Sequence, residues 1–136
     1  MMQARRKRNI FLSLLSLLYC LFVPACAPSA STQATYRRIT PTEAKAIMDE
    51  KEDCVILDVR TQEEYAEGHI PGAILLPDYE IAERAESVLS DKSQCILVYC
   101  RSGRRSEKAA RTLVDMGYTH VLDFGGILDW TYGVER

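Results

Sequence analysis

Cys95-Ile96-Leu97-Val98-Tyr99-Cys100-Arg101-Ser102-Gly103-Arg104-Arg105-Ser106 runs from an unbroken apolar stretch into a short polar loop. Apolar residues on both phases of a two-residue repeat suit a strand buried on both faces. From about Ser106 to Met116, Ala109, Ala110, Leu113 and Met116 fall on one helical face, and Gly117 ends the helix. Strand, loop and helix in this order predict one unit of a parallel α/β sheet. In such sheets ligands bind beyond the carboxyl ends of the strands, which is where Cys100 falls.

The loop has the composition of an anion cradle. Successive amides in a tight turn can face inward. The start of the next helix adds unpaired amides and a positive dipole end. Gly103 permits backbone geometry that a side chain resists. Arg101, Arg104 and Arg105 raise the local positive potential, although three guanidinium groups cannot all line so small a loop. A free thiol titrates at roughly 8.5, and helix N-termini with nearby cations lower that value. Cys100 is therefore expected as a thiolate nucleophile.

The same alternation extends outward. Tyr36 to Ile39 reads as a short strand. Thr40-Pro41-Thr42-Glu43 is a helix start with a capping box, followed by Ala44, Ile47 and Met48 at helical spacing. Cys54 to Val59 is a second buried strand. Thr61 and Glu64 cap a short helix that stops at Gly68. After the His69-Ile70-Pro71-Gly72 turn, Ala73 to Leu76 is a strand ended by Pro77. Tyr79 to Leu89 reads as a helix, Tyr118 to Phe124 as the last strand, and Gly125-Gly126 as a turn into a short helix holding Trp130. The fold class is α/β, with a central, mostly parallel five-stranded sheet and helices on both faces.

The chain has 136 residues, 47% hydrophobic and 26% charged, with net charge -2. These values suit one globular domain and give no reason to expect a nucleic-acid partner. Taking Arg5, Arg6, Lys7 and Arg8 from the 17 basic residues leaves 13 against 19 acidic ones, about -6 for the remainder. The basic cluster is a local signal. The apolar run Ile10 to Val23 that follows is shorter than the roughly 20 residues of a membrane-spanning helix and suits a signal peptide. Ala25-Cys26-Ala27 offers one cleavage pattern. Val23-Pro24-Ala25-Cys26 resembles a bacterial lipobox and is preferred, with Cys26 lipidated. An uncleaved anchor is the remaining alternative. The expected organisation is 1–25 signal peptide, 26–35 flexible tether and 36–136 folded domain. The expected location is the bacterial cell envelope, either anchored to the membrane through lipid or periplasmic.

The domain closely resembles the rhodanese family from about Tyr36 to Trp130. The resemblance is carried by Leu57-Asp58-Val59-Arg60, by Glu64-Tyr65 with Gly68-His69-Ile70-Pro71-Gly72-Ala73, by the Cys100 loop, and by Gly125-Gly126 with Trp130. It implies that Cys100 accepts sulfane sulfur and that the amides of Arg101, Ser102, Gly103, Arg104 and Arg105 stabilise the persulfide. The implied partners are a small anionic donor such as thiosulfate and a cyanide or thiol acceptor, with no cofactor. The two histidines, His69 and His120, form no metal-ligand cluster in the sequence.

Asp58 and Arg60 either support the site or form a salt bridge that holds two loops together, the second being preferred. His69 is expected to make a structural hydrogen bond. If the strands of Cys54 and Cys95 are parallel neighbours, as the resemblance implies, the two cysteines sit at one level. Paired buried thiols are expected, with a disulfide as the alternative. Cys95 and Cys100 cannot pair, because five strand steps span about 16 Å against a limit of roughly 7 Å.

Two other functions compete with sulfur transfer. One is a non-catalytic rhodanese-like binding module, although such modules often lack the loop cysteine. The other is a cysteine-dependent phosphatase or arsenate reductase, whose related loop places arginine where Ser106 stands here.

Overall fold

The structure is a computed structural model describing residues 35–50 and 53–136. The expected signal segment, Cys26 and nearly all of the tether lie outside the described residues.

Five strands form one parallel sheet: β1 (Arg37–Arg38), β2 (Val55–Asp58), β3 (Ile74–Leu75), β4 (Ile96–Cys100) and β5 (Val121–Gly126). Their spatial order is β1-β5-β4-β2-β3, and every pairing is parallel. β4 is central and buried along its whole length. Its side chains alternate between two cores. Ile96, Val98 and Cys100 face Leu57, Leu113 and Tyr118, while Leu97 and Tyr99 face Ile39, Ala44 and Phe124. That two-sided burial explains the unbroken apolar run.

Helices α1 (Pro41–Glu50), α2 (Gln62–Glu67), α3 (Ile81–Val88) and α4 (Arg104–Asp115) cover the two faces. The first core takes Ala85 of α3 with Ala109 and Leu113 of α4; the second takes Ala44 of α1 and Tyr65 of α2. Both capping boxes form. The Thr40 amide donates to Glu43 at 2.7 Å and the Glu43 amide to Thr40 Oγ1 at 3.2 Å. Thr61 and Glu64 exchange the same two bonds at 3.1 and 3.3 Å.

Several boundaries differ from expectation. α4 begins at Arg104, not near Ser106, because Gly103 takes φ +100° and serves as the N-cap. Arg104 and Arg105 therefore belong to the first helical turn rather than to the loop. Residues 78–80 form a 3₁₀ turn before α3, pinned by Asp78 N–H to the Val59 carbonyl and Glu80 N–H to the Pro77 carbonyl. β5 starts at Val121, since Tyr118 N–H closes the end of α4 on the Leu113 carbonyl. Gly125-Gly126 completes β5 instead of leaving it. Val98 pairs with Asp123 and Cys100 with Gly126, so β5 carries one extra residue, and Gly125 at φ +88° absorbs the bulge.

Cys54 and Cys95 form a disulfide, where buried thiols were expected. Val55 pairs with Ile96 in parallel register, which sets the preceding residues opposite each other with Cα atoms 4.7 Å apart. The bond staples β2 to β4 at the end of the sheet away from Cys100.

Candidate active site

Cys100 is the last residue of β4 and is 1% exposed. Its Sγ accepts a hydrogen bond from the Gly103 amide at 3.0 Å. Intrahelical bonding in α4 begins only with Glu107 N–H to the Gly103 carbonyl at 3.2 Å. The amides of Arg104, Arg105 and Ser106 precede that bond and belong to the electropositive end of the helix. The sulfur thus sits beneath a left-handed glycine at the mouth of a helix.

The floor of the loop depends on Gly126. A Cβ built there would lie 2.2 Å from the Arg101 carbonyl oxygen and 2.7 Å from Ser102 Cα. Only glycine lets β5 pass so close beneath the loop. The Leu128 amide then donates to the same Arg101 carbonyl at 3.3 Å, joining the loop to the segment after β5.

The arginines separate as the size of the loop requires. Arg101 and Arg104 are exposed, as is Ser102. Arg105 turns aside and makes a bidentate pair with Glu64, at 2.7 and 2.8 Å. Glu64 thereby caps α2 and also clamps the first turn of α4. The Arg105 hydrogen bonds, ahead of Thr61, hold its carboxyl down to about 2 from an ordinary 4.5. Arg105 is in turn held protonated chiefly by Glu64, against its partial burial.

A carboxyl lowered on folding stabilises the fold fully above its ordinary value and loses that contribution as pH falls toward its folded value. Glu64→Gln should therefore cost about 1–2 kcal/mol of stability at neutral pH. Denaturant titrations of both chains should show this gap closing as pH falls from 4.5 toward 2. A gap that is constant with pH would remove the ion pair as its cause.

Asp58 and Arg60 are not brought to the sulfur. They bond each other at 2.6–3.0 Å, and Arg60 Nη2 also donates to the Gly68 carbonyl at 2.8 Å. Tyr99 donates to Asp58 at 2.6 Å and accepts from the Ile70 amide at 3.1 Å. Tyr99 points to the sheet face opposite Cys100, so this knot braces the strand ends and the Gly68 turn. His69 stacks on Tyr65 and donates from Nδ1 to the Tyr65 carbonyl at 3.0 Å, on the same side of the molecule. Trp130 packs near Phe124 and donates to the Gly133 carbonyl at 2.8 Å.

Ser106 stands where a phosphatase loop would need its arginine. It is fully buried and its hydroxyl donates to Asp123 Oδ1 at 2.7 Å, so that side chain supplies no counter-charge to an oxyanion in the loop. Glu64 was legible in the sequence only as a cap, and Asp123 carried one unused signal: a lone carboxylate inside an apolar strand.

The chain is similar to known proteins over most of this domain. The thiosulfate sulfurtransferase PspE of Escherichia coli is 44% identical over 73 residues, covering 54% of this chain and 70% of that protein. The thiosulfate sulfurtransferase GlpE of Coxiella burnetii is 38% identical over 96 residues, covering 70% and 87%. A solved structure of an E. coli rhodanese with anions superimposes with TM-score 0.58 at 38% identity, covering 61% of this chain and 98% of that one. The rhodanese-like domain family matches residues 40–132, which include every strand but β1 and the whole Cys100 loop, and the chain belongs to that family.

Proposed function

We propose that this domain is a sulfurtransferase that carries sulfane sulfur as a persulfide on Cys100. The observation that carries the reading is the Gly103 amide aimed at Cys100 Sγ from the N-terminus of α4. Such an amide favours a negative sulfur, and both the thiolate and the persulfide are anions. The named sulfurtransferase activities of PspE and GlpE support the same assignment.

The steps balance without an external oxidant. The Cys100 thiolate attacks the outer sulfur of thiosulfate, the sulfur–sulfur bond of the donor breaks, and sulfite leaves with the electron pair. A cyanide or thiolate acceptor then attacks the terminal sulfur, and Cys100 leaves as thiolate. Because Cys100 is almost enclosed, a donor must present a protruding sulfur atom rather than a bulky centre. Initial rates with thiosulfate varied at several fixed acceptor concentrations should give parallel double-reciprocal lines, the pattern of a two-step exchange. Intersecting lines, or acceptor consumption without sulfite release, would contradict the mechanism.

The setting proposed is the bacterial envelope. Arg5 to Arg8 followed by an apolar run support export, and the Cys54–Cys95 disulfide suits an oxidising compartment. Lipid on Cys26 would then tether the domain to a membrane surface. Fractionation of producing cells should find the protein with the membranes, and Cys26→Ala should release it. A Cys26→Ala chain that stays membrane-bound would argue for an uncleaved anchor.

A further inference from the structure

Ser106 has one hydroxyl proton and three acceptors within reach: Asp123 Oδ1 at 2.7 Å, the Gly103 carbonyl at 3.1 Å and the Gly125 carbonyl at 3.2 Å. One proton serves one acceptor well, and Asp123 is the shortest contact. Asp123 is fully buried near the end of β5. Its register partner is Val98, so its side chain projects on the same sheet face as Val98 and Cys100.

The same oxygen has a second role. Asp123 Oδ1 also accepts from the Gly125 amide at 3.0 Å, closing a turn across Phe124. Gly125 leads directly into Gly126, the floor on which Arg101 and Ser102 rest. Ser106 lies in the first turn of α4, directly after Gly103, Arg104 and Arg105. One carboxylate oxygen therefore binds the floor of the loop and its helical wall together.

The other oxygen, Oδ2, is buried without a hydrogen-bond partner. The nearby cation is Arg38 of β1, 3.9 Å away and shared with Glu107 of α4 at 3.6 Å. A buried carboxylate with one oxygen unpaired is costly. A role confined to solubility or to bulk charge does not explain its place; the two bonds at Oδ1 do.

We propose that Asp123 is a positioning residue: through Oδ1 it locks the Gly125-Gly126 floor to the first turn of α4 and keeps the Gly103 amide trained on Cys100. Its effect on rate rests on the sulfur-transfer reading of Cys100, while its effect on the thiolate does not.

Two variants separate position from charge. Asp123→Asn removes the charge and keeps an acceptor at Oδ1. Asp123→Ala removes both. The readouts, on the full chain, are kcat for sulfur transfer and the pH midpoint of thiolate formation. That midpoint is taken as the ultraviolet difference against the matching Cys100→Ser chain. The alanine variant should transfer sulfur about 10- to 100-fold more slowly than the asparagine variant, and its midpoint should lie higher. Equal behaviour of the two variants would overturn the proposal.

Should Asp123→Ala fail to fold, Ser106→Ala carries the same comparison, because it cuts the bond to the wall and leaves the carboxylate in place. It should slow transfer and raise the midpoint relative to the unaltered chain, and an unchanged Ser106→Ala chain would overturn the proposal. If the unaltered chain transferred no sulfur at all, the function would be wrong, yet the midpoints would still decide the role of Asp123.

Discussion

Full-length protein incubated with thiosulfate should gain one sulfur atom, about 32 Da, and Cys100→Ser should gain none. The substitution is nearly isosteric. A serine hydroxyl still gives the Gly103 amide an acceptor, which Cys100 Sγ now takes at 3.0 Å, so the loop has no reason to open. What disappears is the sulfur atom that forms a stable bond to the transferred sulfur. The loss should therefore be complete, not partial, while thermal unfolding stays within a few degrees of the unaltered chain. Other cysteines do not compete at this site. Cys54 and Cys95 are joined to each other, and Cys100 is the free cysteine among the described residues. Cys20 and Cys26 lie in the proposed leader and at its end, so peptide mapping must place the adduct. A serine chain that still gains sulfur, or an adduct mapped elsewhere, would remove Cys100 as the carrier. An unaltered chain that takes no sulfur from thiosulfate, polysulfide or thiol persulfide would favour a binding module. Hydrolysis of an aryl phosphate would favour the phosphatase class, although the position that class needs for arginine is spent on Ser106 bonding Asp123.

Features written in short-range pattern were legible in the sequence. β2 and β4 showed as apolar runs because both of their faces are covered, and Thr40-Glu43 and Thr61-Glu64 showed as caps because a capping box is a local arrangement. The start of α4 was not legible. Nothing local says that Gly103 will adopt φ +100° and begin the helix two residues early, or that Arg38 and Gly125 from other strands will pack where a Cβ at Gly103 would stand. The Cys100 motif marks a candidate nucleophile, but the groups that brace its loop lie far along the chain. Glu64 reaches Arg105 across 41 positions and Asp123 reaches Ser106 across 17. Asp58 and Arg60 form the salt bridge that the sequence pattern favours, with Arg60 reaching on to the Gly68 carbonyl. They are near Cys100 in strand order, but the alternation of side chains sends their partner Tyr99 to the other face.

The second large effect concerns the other end of the sheet. Replacing Cys54 and Cys95 together by alanine should lower stability by about 3–4 kcal/mol and the melting temperature by on the order of 15 °C. The size follows from the unfolded chain, where the bond closes a loop of sequence separation 41 and removes much of its freedom. The folded state loses little, because the parallel register already holds the two positions 4.7 Å apart. Sulfur transfer per folded molecule should stay within about twofold, since the strand carries Cys95 about 16 Å from Cys100. The double variant is the right probe for that comparison. A thiol reductant would open the disulfide, but it would also take the sulfur from Cys100 as an acceptor, and the two effects would be read as one. Unchanged melting of the double variant would show that the bond contributes nothing to stability. Lost transfer in a folded double variant would instead show that the far end of β2 and β4 reaches the site through the sheet, against the local clamp formed by Glu64, Gly126 and Asp123.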